Sequence, residues 1–333
     1  MATVAMLGAG SWGAALAIHL ARLGHTVRLW ARNPDVVAKI GRDRVHHSHP
    51  SVELPAELTT TSDLQAACHD AAAVVVACPS HAVRTLACTF AAHAPATALV
   101  VSTAKGIETD SRLTMSAVLE QVLPDSLARR TSVLSGPSFA REVALGMPTA
   151  VTAAARDLAV AEELQRLFIG PTFRVYTSVD TIGVEVGGAV KNVIALAAGV
   201  SDGLGFGSNT RAALITRGLA EISRLAIRLG ADRATLAGLA GLGDLVLTCT
   251  GELSRNRQVG LRLGRGETLT AILAGMTEVA EGVRNTASVL ELARSVDVEM
   301  PIAEQMHLLL YENKDPAQAV VDLMSRRLKH ELA

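Results

Sequence analysis

Lys191 is the residue whose setting most strongly suggests chemistry. It stands in the stretch 187–209, GGAVKNVIALAAGVSDGLGFGSN, whose middle is apolar on nearly every helical face. A helix apolar all round belongs inside a protein, so an ammonium there either serves a reaction or snorkels to water. Helical side chains lean back over the preceding turn, which lays Lys191 above Gly187 and Gly188. Each glycine inside a helix costs about 1 kcal/mol relative to alanine. That cost fits the close approach of a ligand or another backbone, and equally fits plain helix packing. Burial lowers a lysine's pKa, and a lysine tuned in this way can donate a proton in one direction and take it back in the other.

A second group is phosphate chemistry. Gly8-Ala9-Gly10-Ser11-Trp12-Gly13 forms GxGxxG between an apolar run, Thr3–Leu7, and a helically spaced segment, 14–23. In that context Gly8 allows the tight turn, Gly10 admits a pyrophosphate to the backbone, and Gly13 lets helix pack on strand. The helix N-terminus then supplies N–H groups to the anion, with Ser11 and Trp12 lining it. The next strand, 25–30, ends in Ala31-Arg32-Asn33. An NAD-preferring unit usually carries an acid there for the ribose 2′-OH, whereas Arg32 suits a 2′-phosphate. NADP is therefore favoured over NAD, the other reading of Arg32 being a solvated turn cap.

Further candidates stand at strand ends and helix starts. Lys105 follows the strand 98–102 and can neutralise an anion. Gly136-Pro137-Ser138-Phe139-Ala140 follows the strand 131–135, and Ser138 can hydrogen-bond the same ligand. Asp244 sits in what reads as a glycine-bounded turn, Gly241-Leu242-Gly243-Asp244. Ser254 is a natural N-cap that places Arg255 and Asn256 at a helix start, a good phosphate grip or simple capping. Glu281 precedes another helix and suits either a cofactor group or the helix dipole. His46, His47 and His49 fall in a polar segment, 41–55. No carboxylate or cysteine completes a metal set at ligand spacing, so a solvated histidine loop is expected, with no metal.

These residues need a scaffold. Strands are expected at 3–7, 25–30, 58–61, 72–78, 98–102, 131–135, 149–154 and 173–176, most of them separated by helices. That alternation predicts an α/β fold with an open, mainly parallel sheet, and ligands sit at the carboxyl ends of such strands. Sheet signals stop near Val179. Helices are then expected over 180–205, 211–229, 254–264, 268–275, 282–296, 302–312 and 316–328. The chain therefore divides into 1–179, binding the dinucleotide, and 180–333, a helical substrate-binding and catalytic domain whose first helix carries Lys191.

Composition narrows the function. The 333 residues carry a net charge of −1 and 3% aromatics, which gives no electrostatic or stacking case for nucleic acid. No uninterrupted apolar run approaches the ~20 residues of a membrane span. No basic leader precedes TVAMLGAG, and the four cysteines form no CxxC pair. A cytoplasmic location with free thiols is expected.

Together the motifs resemble the bacterial NAD(P)-dependent glycerol-3-phosphate dehydrogenases. GAGSWG is followed in order by AKGIE (104–108), GPSFAREV (136–143), the Lys191 stretch, GLGDLVLTCT (241–250), SRNRQVG (254–260) and EGVRNT (281–286). The resemblance runs from about residue 4 to about residue 310. It implies a Rossmann-type domain followed by an all-α domain like that of 6-phosphogluconate dehydrogenases. It also implies reversible hydride transfer between dihydroxyacetone phosphate and sn-glycerol 3-phosphate, which supplies the phospholipid backbone. By the family pattern Ser11, Trp12, Arg32, Ala140, Val279 and Glu281 contact the dinucleotide. Lys105, Gly136, Ser138, Asp244, Ser254, Arg255 and Asn256 hold the substrate. Lys105 and Arg255 reach both, and Lys191 is the acid/base, oriented by Asp244 and Asn192. The chain departs from the family at 46–50, where His-His-Ser-His-Pro replaces a tyrosine-leucine-proline loop. Two other readings stand beside this one: a reductase of another small keto or hydroxy acid, and a dinucleotide sensor without turnover. A homodimer is plausible from the apolar helical domain.

Overall fold

In a computed structural model, which describes residues 1–276, 280–327 and 330, the first half of the chain is a sheet layered between helices. Its strands are β1 (Thr3–Leu7), β2 (Thr26–Trp30), β3 (Val45–His46), β4 (His49–Glu53), β5 (Leu58–Thr61), β6 (Ala73–Val76), β7 (Leu99–Ser102), β8 (Thr131–Ser135), β9 (Thr149–Ala154) and β10 (Phe173–Ser178). Eight of them form one sheet in the order β10-β9-β8-β7-β6-β1-β2-β5, while β3 and β4 form a separate antiparallel hairpin. Pairing is parallel throughout the large sheet except between β8 and β9. The central strands β1, β6 and β7 read as unbroken apolar runs because helices cover both of their faces. One core lies on the side of Leu16, Val75 and Phe168, the other on the side of Leu7, Val76 and Phe90.

After Ser178 every regular element among the described residues is helical. The Lys191 helix, Thr181–Gly203, opens with the Asp180 side chain accepting from Gly183 N at 2.8 Å. Nearly all of its residues from Gly183 to Ser201 are buried. By length and composition it could cross a bilayer, yet 94% of its apolar window is covered by protein. It is the axis of a third core, with Ile222, Leu225, Val259, Val289 and Met306 around it.

The tightest partner of this helix is the helix Arg255–Gly264. A Cβ added at Gly199 would lie 2.0 Å from Arg257 O, and one at Gly260 would lie 2.0 Å from Leu196 O. Gly203 and Gly264 meet in the same way. Paired positions rise together along both chains (196 with 260 and 200 with 264; 199 with 257 and 203 with 261), so the two helices run parallel. Their C-terminal ends meet at Gly203 and Gly264, and the start of the shorter helix lies beside the middle of the longer one, where Asn256 Nδ2 donates to Asn192 Oδ1 at 2.9 Å.

Two regions differ from expectation. The segment 241–244 is no glycine-bounded turn. A five-residue π-helical turn, Leu239–Gly243, runs straight into the helix Asp244–Thr250. Of the three histidines, only His47 is solvated. The Pro34–Asp43 helix ends at Arg44, whose φ is +51°, and the β3–β4 hairpin turns His46 and His49 inward, to 0% and 2% exposure. All four cysteines are free thiols. No cluster of three His, Cys, Asp or Glu able to hold a metal occurs among the described residues.

Candidate active site

Lys191 is 6% exposed, and its ammonium faces the helix Asp244–Thr250. It donates to Asp244 Oδ1 and, at 2.9 Å, to Thr248 Oγ1. Thr248 stands one turn after Asp244 and passes its own hydroxyl hydrogen to Asp244 O at 2.6 Å, so its oxygen faces the lysine as an acceptor. An ammonium has three donors, and two are engaged by these partners. The other carboxylate oxygen, Asp244 Oδ2, accepts from Lys105 Nζ at 2.6 Å. Lys105 also donates to Gly136 O at 3.1 Å. One aspartate thus gathers two lysines, one from the Lys191 helix and one from the loop after β7.

Electrostatics follow from burial. Desolvation pulls the Lys191 pKa down from 10.5, the Asp244 carboxylate pulls it partly back, and Lys105 lowers it again; the outcome is about 8. Burial alone would raise the Asp244 carboxyl, but the two ammonium groups hold it below its ordinary value. Lys191 is therefore poised to give or take a proton near neutrality, beside a carboxylate that stays ionised.

The glycines beneath Lys191 make room for protein. A Cβ on Gly187 would lie 2.7 Å from Ala240 O of the π-turn, and one on Gly188 would lie 3.0 Å from Ser135 Oγ and 3.5 Å from the Lys105 stem. They let the π-turn and Lys105 reach the helix. Asn192 does not orient Lys191. Its amide points to Lys105 O and Gly188 O, both at 3.4 Å, and accepts from Asn256. Asn256 is buried, and its Oδ1 receives Gly282 N at 3.0 Å. Arg255, at the first position of its helix, is exposed, and Ser254 caps that helix by accepting from Arg257 N at 3.2 Å. Ser138 donates to Gly136 O at 3.0 Å.

The glycine-rich turn has the shape its motif requires. Gly8 adopts φ +128°, where L side chains are strained, and a Cβ there would meet Ala77 O at 2.6 Å. A Cβ on Gly13 would strike Gly8 O, which confirms the close packing of helix on strand. Gly10 caps the helix Ser11–Arg22 with no side-chain hydrogen bond, and the space beyond its α-carbon is open to 4 Å. The Trp12 Nε1 donor is buried with no protein partner. An open, uncapped helix start and an orphaned donor fit a dinucleotide pyrophosphate. Arg32 is exposed just past the end of β2. Ala140 opens the short helix Ala140–Ala144 and packs on the sheet core. Glu281 opens the helix Glu281–Ser295 and accepts from Ser80 N at 3.1 Å; burial raises its pKa, against the pull of that N–H. Val279 lies outside the described residues.

Two participants escaped sequence reasoning. Thr248 was hidden because its i+4 relation to Asp244 exists only in a helix. Asn285 donates to Lys105 O at 2.8 Å, and only its place within EGVRNT could have pointed to it. Two cavities of about 260 and 280 Å³ share a lining of Asp297, Val298, Glu299, Pro301 and Arg326 and touch none of these groups. Side-chain chemistry, not concavity, locates the site.

Comparison with known proteins identifies the family. Residues 3–161 match the family model for the NAD-dependent glycerol-3-phosphate dehydrogenase N-terminus, and residues 180–321 match that for its C-terminus. A glycerol-3-phosphate dehydrogenase [NAD(P)+] of Citrifermentans bemidjiense is 53% identical over 329 residues, covering 98% of each chain. The crystal structure of a glycerol-3-phosphate dehydrogenase from Coxiella burnetii is 42% identical, with a TM-score of 0.93 over 98% of this chain and 99% of that one. A ketopantoate reductase of Ralstonia eutropha shares the fold alone, at 16% identity and a TM-score of 0.61.

Proposed function

The chain belongs to the NAD-dependent glycerol-3-phosphate dehydrogenase family, and from that premise we propose how its residues reduce dihydroxyacetone phosphate to sn-glycerol 3-phosphate, reversibly and with NAD(P)H. The observation that carries the reading is Lys191, buried, with a pKa of about 8, fixed between Asp244 and Thr248. NAD(P)H, when bound, supplies the hydride. Lys191 gives its proton to the ketone oxygen in reduction and retrieves it from the hydroxyl in oxidation. Asp244 holds the ammonium in line and stays ionised. Lys105, tied to Asp244 and Gly136 O, adds positive charge on the sheet side.

The substrate phosphate docks on Arg255 and the N-terminus of its helix, with Ser254 capping that end, Asn256 bracing it against Asn192, and Ser138 and Gly136 lining the other wall. Binding energy spent on the phosphate, away from the reacting carbon, then serves turnover. Gly8, Gly10, Ser11, Trp12 and Gly13 hold the pyrophosphate, with Ala140, Val279 and Glu281 along the rest of the dinucleotide. Arg32 favours NADP, though both cofactors are used. Residues 1–179 form the dinucleotide-binding unit and 180–333 the substrate unit. The product feeds glycerophospholipid synthesis, the location is the cytoplasm, and the active form is a homodimer.

The test is NADPH oxidation with dihydroxyacetone phosphate, dihydroxyacetone and a keto acid in parallel. Turnover with the phosphorylated ketone alone supports the reading. Turnover with the keto acid alone refutes the substrate, and binding without oxidation refutes the reaction.

A further inference from the structure

We propose that His46 and His49 are positioning residues for the dinucleotide. Held on the β3–β4 hairpin, they grip the carbonyls of Ala9 and Ser11 and so aim the N–H groups of Gly10 and Trp12 at the bound pyrophosphate. This rests on the dinucleotide-binding reading given above.

His46 Nε2 lies 3.0 Å from Ala9 O, and His49 Nε2 lies 2.7 Å from Ser11 O. A carbonyl oxygen only accepts, so both imidazoles present Nε2–H. For His46 the other nitrogen confirms this tautomer, because Nδ1 accepts Ser48 N–H at 3.1 Å. The rings also support one another, with His46 centred 4.2 Å from His47 and 5.6 Å from His49. Both clamping residues are buried, at 0% and 2% exposure. They come from a hairpin 37 and 38 residues further along the chain than the carbonyls they hold.

The consequence is set by peptide geometry. Across a trans peptide the C=O of one residue and the N–H of the next point in opposite directions. Fixing Ala9 O therefore fixes the Gly10 N–H, and fixing Ser11 O fixes the Trp12 N–H, both turned away from the histidines. A hydrogen bond received at the oxygen also polarises the amide and strengthens its N–H as a donor. Neither Gly10 nor any side-chain cap competes for these donors, and the space beyond Gly10 is open. The glycine-rich turn supplies the shape, and the two histidines set its orientation.

The experiment compares donor-keeping with donor-removing variants: His46→Gln, His49→Gln, His46→Leu and His49→Leu. A glutamine amide nitrogen reaches about as far as Nε2, whereas leucine fills space without donating. NADPH affinity is read directly by cofactor fluorescence on the full chain without substrate, alongside KM for each reactant. Each leucine variant should weaken NADPH binding by about tenfold, the scale of one lost hydrogen bond. It should raise KM for NADPH more than it changes kcat or KM for dihydroxyacetone phosphate, and each glutamine variant should recover most of the loss. Leucine variants that bind NADPH like wild type overturn the proposal. So do glutamine variants as weak as the leucine ones, which would reduce the histidines to packing. If the leucine variants do not fold, a tenfold loss in the glutamine variants overturns it and near-native affinity supports it. A wild-type protein that binds NADPH but does not oxidise it with dihydroxyacetone phosphate refutes the reaction, while the binding series still judges the clamp.

Discussion

At the scale of single residues, the proposed reaction rests on the charge of Lys191. Replacing it with methionine keeps the stem and removes the proton, so turnover should fall at least ~100-fold while fluorescence titration still shows NADPH binding. Turnover within a few-fold of wild type would make it structural. Because reduction needs the ammonium, kcat/KM for dihydroxyacetone phosphate should fall as pH rises through about 8, and the oxidative direction should rise over the same range. Asp244→Asn removes the carboxylate that supports the charge, so this limb should move to lower pH; an unmoved limb would assign it to another group. Arg32→Asp should shift the KM ratio from NADPH toward NADH. The sequence revealed Lys191 because an ammonium in an all-apolar helix conflicts with its surroundings. It misdirected Asn192, because an amide beside a lysine looks like a partner until a third chain segment, here Asn256, takes its carbonyl. It hid the burial of His46 and His49, because histidine suits water and core alike and the carbonyls that decide lie more than thirty residues away.

Elements set the distances between those residues. The parallel pair of helices, 181–203 and 255–264, meets backbone to backbone through Gly199 and Gly260, and so holds the proposed phosphate-binding helix start near Lys191. Gly260→Ala puts a methyl group 2.0 Å from Leu196 O, where only backbone can yield, at a cost of a few kcal/mol. The variant should melt earlier and show a higher KM for dihydroxyacetone phosphate than for NADPH, relative to wild type. Equal changes in both would mean that the pair is only structural. A second element answers to pH. Glu221 is buried and accepts from Ile302 N at 2.8 Å and Ala303 N at 3.4 Å at the start of the Pro301–Tyr311 helix. Burial pushes its pKa up to about 7, against the pull of those N–H groups. Between pH 4.5 and about 7 the folded chain holds a proton there that the unfolded chain has released. Stability therefore falls as pH rises through that window, by up to ~3 kcal/mol. Glu221→Gln should flatten the dependence in denaturant melts at pH 5 and 8. Periodicity made the strands and long helices legible. It failed at 241–244, where Gly241 and Gly243 read as a turn and instead lie in a π-turn pressed against Gly187.

For the molecule as a whole, the groups of the proposed site also tie its two halves together. Lys105 reaches from the sheet to Asp244, Asn285 holds the Lys105 carbonyl, and Glu281 holds Ser80 N. Lys105→Met should therefore cost more than activity: calorimetric unfolding should broaden or split as the halves lose a shared charge, and a single unchanged transition would show that apolar contact alone couples them. The α/β order and the helical second half were legible from alternation and its end near Val179. The coupling was not, because its partners stand 139 to 201 residues apart. That spacing has a consequence in time. A ribosome adding ~5–20 residues per second completes Asp244 about 7 to 28 s after Lys105. The sheet can thus be fully hydrogen-bonded while its lysine still faces water. On a growing chain, the glycine-rich turn and its histidine hairpin are complete well before the helix that carries Asp244 exists.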